Sequence, residues 1–319
     1  MTNKPPLIIN TDPNRRWLIW LIGIVVADVA MALVYWGTVV LMILTEGYYW
    51  GLLGLPSFFL IPLLGGLLAS YLWRRLEPTI GGIAFNTFLM TLLALLGATI
   101  IFHEGAICLL IVAPLFYAMV LAGALIGRTW FKIDPTRLQI SILPLLALVV
   151  LGEPFTRTDQ VSVVTDEIVI HAPSSKVWPQ VTTFPEILSS PDFWLFRLGL
   201  PYPMATTSAG DFVNAERRCI FNHGAVFKER VAEFVPFEKL TFDIVELPPD
   251  PELIGHLTPH RGQFVLRNNG DGTTTLIGST WYTLHVRPLW YFDWWTQHIF
   301  RAVHLRVMED IRRRAEASS

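Results

Sequence analysis

The chain has 319 residues, of which 52% are hydrophobic and only 16% charged, with a formal net charge of −2. Soluble domains carry roughly 25% charged residues, so an ordinary soluble globule is excluded for at least part of the molecule. No basic block long enough to track phosphates is present, and nucleic acid is not an expected partner.

The apolar excess is concentrated before Gly152. Hydrocarbon cannot hydrogen-bond backbone groups, so apolar runs of about 20 residues read as membrane-spanning helices. Four such runs stand out, over Trp17–Leu44, Tyr49–Trp73, Thr79–Phe102 and Ala106–Gly127. A fifth, Leu138–Gly152, covers only about 22 Å as a helix against about 30 Å of hydrocarbon, and Pro144 leaves a kink or re-entrant segment open. The first run has no small-residue cleavage site and reads as a retained anchor. The expected layout is a cytoplasmic tail (1–16), a transmembrane domain of four to five helices (17–152), a linker (153–160) and a soluble domain (161–319).

Loop charges alternate. Lys4, Arg15 and Arg16 precede the first run, Arg74 and Arg75 follow the second, and Arg128, Lys132 and Arg137 follow the fourth. The other loops hold Glu46, His103 and Glu104. The positive-inside rule makes this a multi-pass protein of the cell membrane with a cytoplasmic N-terminus. If the fifth run crosses, the soluble domain is extracytoplasmic, which is the expectation; if it only dips, the domain is cytoplasmic.

Asp28 is the one acid well inside a run, level by depth with Thr91 and Tyr117. An intramembrane carboxyl is either a proton or ligand site, or a protonated or hydrogen-bonded packing contact. Gly123-Ala-Leu-Ile-Gly127, and Gly65, Gly66 and Ser70, form small-residue faces that pack helices closely and leave a homo-oligomer through the membrane helices open.

From Val161 the pattern changes to strands. Val161–His171 is rich in β-branched residues and ends at Ala172-Pro173-Ser174-Ser175, a stop followed by a short helix over Lys176–Ile187. An aromatic loop runs from Pro191 to Met204. Strands follow at about Asp211–Asn222, Val226–Phe234, Leu240–Glu246, Gly262–Arg267 and Thr273–Val286, with turns at His223-Gly224 and Asn268–Gly272. One long helix, Leu289–Ala317, closes the chain. Cys108 and Cys219 fall one in each half, so the soluble half has no internal disulfide.

This order resembles the helix-grip superfamily of START lipid-transfer domains, polyketide cyclase/dehydrases and birch-pollen-allergen-like proteins (SRPBCC), in a bacterial membrane-anchored branch. The pieces that carry the resemblance are Ala172–Trp178, Arg217-Arg218-Cys219-Ile220-Phe221, Glu229-Arg230-Val231, Gly262-Gln263-Phe264, Asp271–Thr274, Gly278–Tyr282 and His304–Val307. It implies an α+β domain, a curved antiparallel sheet around the C-terminal helix, fused to an all-α transmembrane domain. The superfamily shares a cavity rather than a reaction, so fold alone supplies no chemistry.

No nucleophile elbow, phosphate loop, dinucleotide fingerprint or zinc motif occurs; no cofactor is implied, and no metal. His256 and His260 read as loop histidines rather than a metal pair. Arg217, Cys219 and Phe221 share one strand face, and Phe227, Glu229 and Val231 share one on the partner strand. A three-residue turn points both sets the same way, whereas a two-residue turn sets Arg218 against Glu229. The pair is then either a polar anchor inside the grip or a salt bridge on the solvent face.

Candidate ligand-binding residues are Trp178, Arg217, Phe221, Phe227, Glu229, Phe264, Thr280, Tyr282 and His304. Tyr282 also reads as a core tyrosine and His304 as a packing histidine. The leading reading is membrane-tethered handling of a hydrophobic small molecule or lipid. The alternatives are a cyclase/dehydratase-like enzyme with Glu229 and Tyr282 as acid–base candidates, and a non-catalytic sensor or assembly protein. Trp281, Trp290, Tyr291, Phe292, Trp294 and Trp295 favour a membrane–water interface or a ligand portal, with at least Trp290 and Trp294 expected to pack under the sheet. Arg312–Arg314 read as complements to the helix dipole or as lipid-head contacts.

Overall fold

A computed structural model describes residues 13–46, 56–102, 105–133, 161–252 and 256–317. The expected linker, most of the N-terminal tail and the short fifth run lie outside the described residues. The chain divides into two compact units, Met1–Arg157 and Thr158–Ser319.

In the first unit, α1 spans Pro13–Glu46, α2 Ile61–Trp73, α3 Ile80–Gly97 and α4 Ala106–Ile133. Among the described residues, four helices are long and apolar enough to cross a membrane. Their outward faces carry large exposed apolar side chains such as Trp17, Leu33, Phe85 and Leu92, which hydrocarbon tolerates and water does not. Thr79 caps α3 by accepting the Gly82 N–H at 3.1 Å. The guanidinium of Arg16 donates to the Leu76 carbonyl at 3.3 Å and that of Arg128 to the Pro78 carbonyl at 3.0 Å. Those bonds bring the start of α1, the α2–α3 turn and the end of α4 to one end of the bundle, the arrangement that the alternating loop charges require. A Cβ on Gly123 would collide with the Leu63 carbonyl oxygen, so this small-residue face is used within the chain, between α2 and α4.

The second unit is a seven-stranded antiparallel sheet in the order β1-β7-β6-β5-β4-β3-β2. Its strands are β1 Val161–Ile170, β2 Pro203–Ser208, β3 Glu216–Phe221, β4 Val226–Val235, β5 Lys239–Glu246, β6 Leu257–Asn268 and β7 Thr274–Leu284. Two short helices, α5 Ser174–Thr182 and α6 Trp194–Arg197, lie between β1 and β2, and α7 runs over Leu289–Ala317. β2 is missed in the sequence, where it straddles the end of the aromatic loop at Met204, because Pro203 and two threonines mask its pattern. Sequence reading also starts β6 too late, at Gly262 instead of Leu257, and carries α5 five residues past its observed end at Thr182.

The sheet wraps α7, since opposite edges reach the same helix. Asp166 on edge strand β1 accepts from Arg301 at 2.9 Å. Five residues further along α7, Arg306 donates to the Pro203 carbonyl on β2, the other edge, at 3.0 Å. This is the helix-grip architecture. The apolar core gathers around the C-terminal half of α7, where Val307, Met308 and Ile311 pack with Trp178, Phe184 and Leu276.

Candidate functional site

The β3–β4 connection is a three-residue turn, Asn222–Gly224, with positive φ at His223 and Gly224. The register is therefore Arg217↔Glu229 and Cys219↔Phe227, and Arg217, Cys219, Phe227 and Glu229 all point to the concave side. Their inward direction follows from Arg217, whose guanidinium lies 4.5 Å above the buried Phe242 ring of β5. Gly262 on β6 makes that possible, because any Cβ there would strike the Phe242 ring. A glycine on one strand thus admits an aromatic ring from the next, and the ring supports a cation two strands further along.

Arg217 and Glu229 face each other at 3.5 Å, with side chains only 2% and 6% exposed. The solvent-face salt bridge left open by the sequence is thereby corrected to an interior pair. The contact lacks hydrogen-bond geometry: Arg217 Nε and Nη1 and Glu229 Oε2 are buried without a hydrogen-bond partner. Burial pushes the Glu229 carboxyl up to about 7, against the opposing pull of Arg217. Beside them, burial and then the Glu229 charge push the Cys219 thiol up to about 12, so it is a neutral wall group rather than a nucleophile. The Phe221 and Phe227 rings stack 4.4 Å apart on the same wall.

On the far wall, Thr280 and Tyr282 of β7 each bond a residue of α7, and His304 is the α7 partner of Thr280. His304 bonds Asp166 through Nδ1 at 2.9 Å and Thr280 through Nε2 at 2.8 Å. Tyr282 donates to Asp293 at 2.7 Å, and Gln297 donates to the other Asp293 oxygen at 2.7 Å. Burial and that bond raise the Tyr282 phenol well above its ordinary range. These residues clamp helix to sheet. Trp178 and Phe264 belong to the core, Trp178 edge-on to Phe234 at 5.3 Å.

Glu229 and Tyr282 share the concave face and lie level along the strands, as Glu229↔Ile244 and Pro259↔Tyr282 show. They are nevertheless three strands apart, about 14 Å along the sheet. No family model and no curated protein matches the chain. Solved structures do. A protein from Nitrosospira multiformis is 18% identical, covering 47% of this chain and 96% of its own, with a TM-score of 0.32. The protein XoxI from Bacillus cereus is 18% identical, covering 48% and 94%, at 0.35. Norcoclaurine synthase from Thalictrum flavum, bound to dopamine and hydroxybenzaldehyde, is 15% identical, covering 48% and 87%, at 0.32. At these scores the fold assignment rests on the strand order and on the wrapped helix themselves.

Phe242, Asp166 and Asp293 are not singled out in the sequence, and Gly262 only as part of a resemblance. Asp166 was visible as an acid on the inward alternation Val164, Asp166, Ile168, Ile170; Phe242 and Asp293 carry no local signal. His260 sits on β6 and bonds the Thr283 hydroxyl at 2.8 Å. Among the described residues no His, Cys, Asp and Glu cluster fits a metal. In the helical unit both Asp28 oxygens and the Thr91 hydroxyl are buried without hydrogen bonds, while Tyr117 donates to the Ala84 carbonyl at 3.1 Å.

Proposed function

We propose that the second unit binds a small molecule with an apolar body and one polar head, and that the apolar helices keep it beside a membrane reservoir of that molecule. The head would lie at Arg217 and Glu229, with Phe221 and Phe227 against the body. One observation carries this reading: two guanidinium nitrogens and a carboxylate oxygen are buried without hydrogen bonds. A buried charged pair is stable only when its remaining donors and acceptors are met, and a ligand hydroxyl or carbonyl would meet them. Membrane tethering would raise the effective concentration of a lipid-soluble ligand without new contacts.

Glu229, held near neutrality, also suits a general acid or base, which favours a cyclase- or dehydratase-like step as the second reading. That reading loses its second group, because the Tyr282 hydroxyl is held by Asp293.

Native mass spectrometry of the full-length protein, gently extracted, tests the proposal. The wild type is expected to carry a discrete hydrophobic mass. The double variant R217M/E229M should lose it while keeping its thermal midpoint, since an apolar pair of similar size often replaces a buried ion pair without loss of stability. A wild-type protein that carries no such mass and binds no apolar fluorescent probe saturably overturns it.

A further inference from the structure

The two tryptophans expected under the sheet are on the surface instead. Trp290 is 71% exposed and Trp294 54%, one turn apart on the first part of α7. They join a second element there: Trp295 meets Trp294 at 5.0 Å and Trp194 of α6 at 6.5 Å between ring centroids. Trp194 is 46% exposed and Leu198, one turn on, 58%. Trp194 also touches Phe193 at 6.3 Å, and Trp294 stacks on His298 at 4.1 Å. Two elements far apart in sequence thus build one exposed aromatic edge, bordered by the exposed basic residues Arg197 and Arg301.

We propose that this edge is a docking surface for the headgroup–acyl boundary of a lipid bilayer. Tryptophan is the side chain that prefers this boundary, because its ring is apolar while its N–H seeks water. Exposed Trp and Leu flanked by arginine are the composition of interfacial anchors, with the cations meeting lipid phosphates. The occupant is set by the chain itself. Four helices apolar enough to span a membrane belong to the same polypeptide, and residues 134–160 join them to β1, a connection of no more than about 100 Å even if fully extended. A bilayer is therefore always within reach, and even weak intrinsic affinity becomes effective at that concentration.

The test uses the full-length chain in nanodiscs of phosphatidylcholine and phosphatidylglycerol, spin-labelled at Leu198→Cys or Trp294→Cys in a C108S/C219S background. A control label at Arg267→Cys sits on β6 at the opposite end of the sheet from the start of α7. The first two labels should collide severalfold more with oxygen, relative to a water-soluble nickel chelate, than the control does. A ratio equal to the control places the edge in water, and shielding from both reagents places it against protein; either overturns the proposal. Without labels, brominated lipid should quench less absolute tryptophan fluorescence in W194F/W290F/W294F than in the native chain, and an unchanged quenched intensity overturns it too.

Discussion

Arg217 and Glu229 stand opposite each other on adjacent strands, 3.5 Å apart and almost fully buried, without a hydrogen bond between them. Such a pair is more a constraint than a stabiliser, because desolvating two charges offsets most of their attraction. Its placement on the concave wall, over Phe242, is what separates a polar anchor from an ordinary surface salt bridge.

The Glu229 carboxyl has a folded pKa near 7, above its ordinary value of 4.5. The folded state therefore holds the proton more tightly than the unfolded chain does. Its contribution is fully present below pH about 4.5 and is lost as pH rises through about 7, on the order of 3 kcal/mol in all. The thermal midpoint of the wild type should fall over that window more steeply than that of Glu229→Gln. Equal slopes in scanning fluorimetry would show that Glu229 does not titrate there.

Asp166, His304 and Thr280 tie edge strand β1 and strand β7 to α7. Asp166→Asn strips a buried charge from His304 and Arg301 and should cost about 3 kcal/mol. A double-mutant cycle with His304→Gln is expected to show coupling of about 1 kcal/mol or more by denaturant titration. Additive effects would mean that the contacts act independently.

Arg306 fastens α7 to the far edge. It donates to the carbonyls of Pro203 and Ser189 at 3.0 Å each and lies 4.7 Å over the Tyr202 ring. Lysine keeps the charge but not the planar fork, so Arg306→Lys should cost about 1–3 kcal/mol and speed proteolysis between α5 and β2. Wild-type cleavage rates in that segment would refute the clamp.

Gly123 and Gly81 make a matched pair in the helical unit. A Cβ at Gly123 meets the Leu63 backbone, while nothing lies within 4 Å of one at Gly81. Gly123→Ala should lower the unfolding midpoint in detergent markedly, whereas Gly81→Ala should leave it unchanged or raise it slightly. Equal responses would place the α2–α4 approach elsewhere.

Much of the architecture was legible because its causes are local. Apolar run length marks the four long helices, period-two alternation marks β1 and β7, and the positive-φ turn at Asn268–Gly272 joins β6 to β7. The concave face of β3 and β4 was legible too, once a three-residue turn was allowed for. Hidden were β2, whose short polar pattern resembles a loop, and the exposure of Trp290 and Trp294, since an aromatic residue on a helix reads the same in either direction. Gly262 is marked only as a glycine within a strand, which does not say that Phe242 fills the space, and Asp293 against Tyr282 carries no local mark.

The sequence by itself determined which segments are apolar helices, all of the strands but β2, and that a curved sheet ends in one long helix; these follow from periodicity and backbone chemistry within a few residues. Only the tertiary structure decided that Arg217 and Glu229 lie inside, that Tyr282 is tied to α7 and His304 of α7 to β1 and β7, and that the tryptophans gather at one edge. Each of these depends on strand register and helix rotation, which are set by packing between segments far apart in the chain.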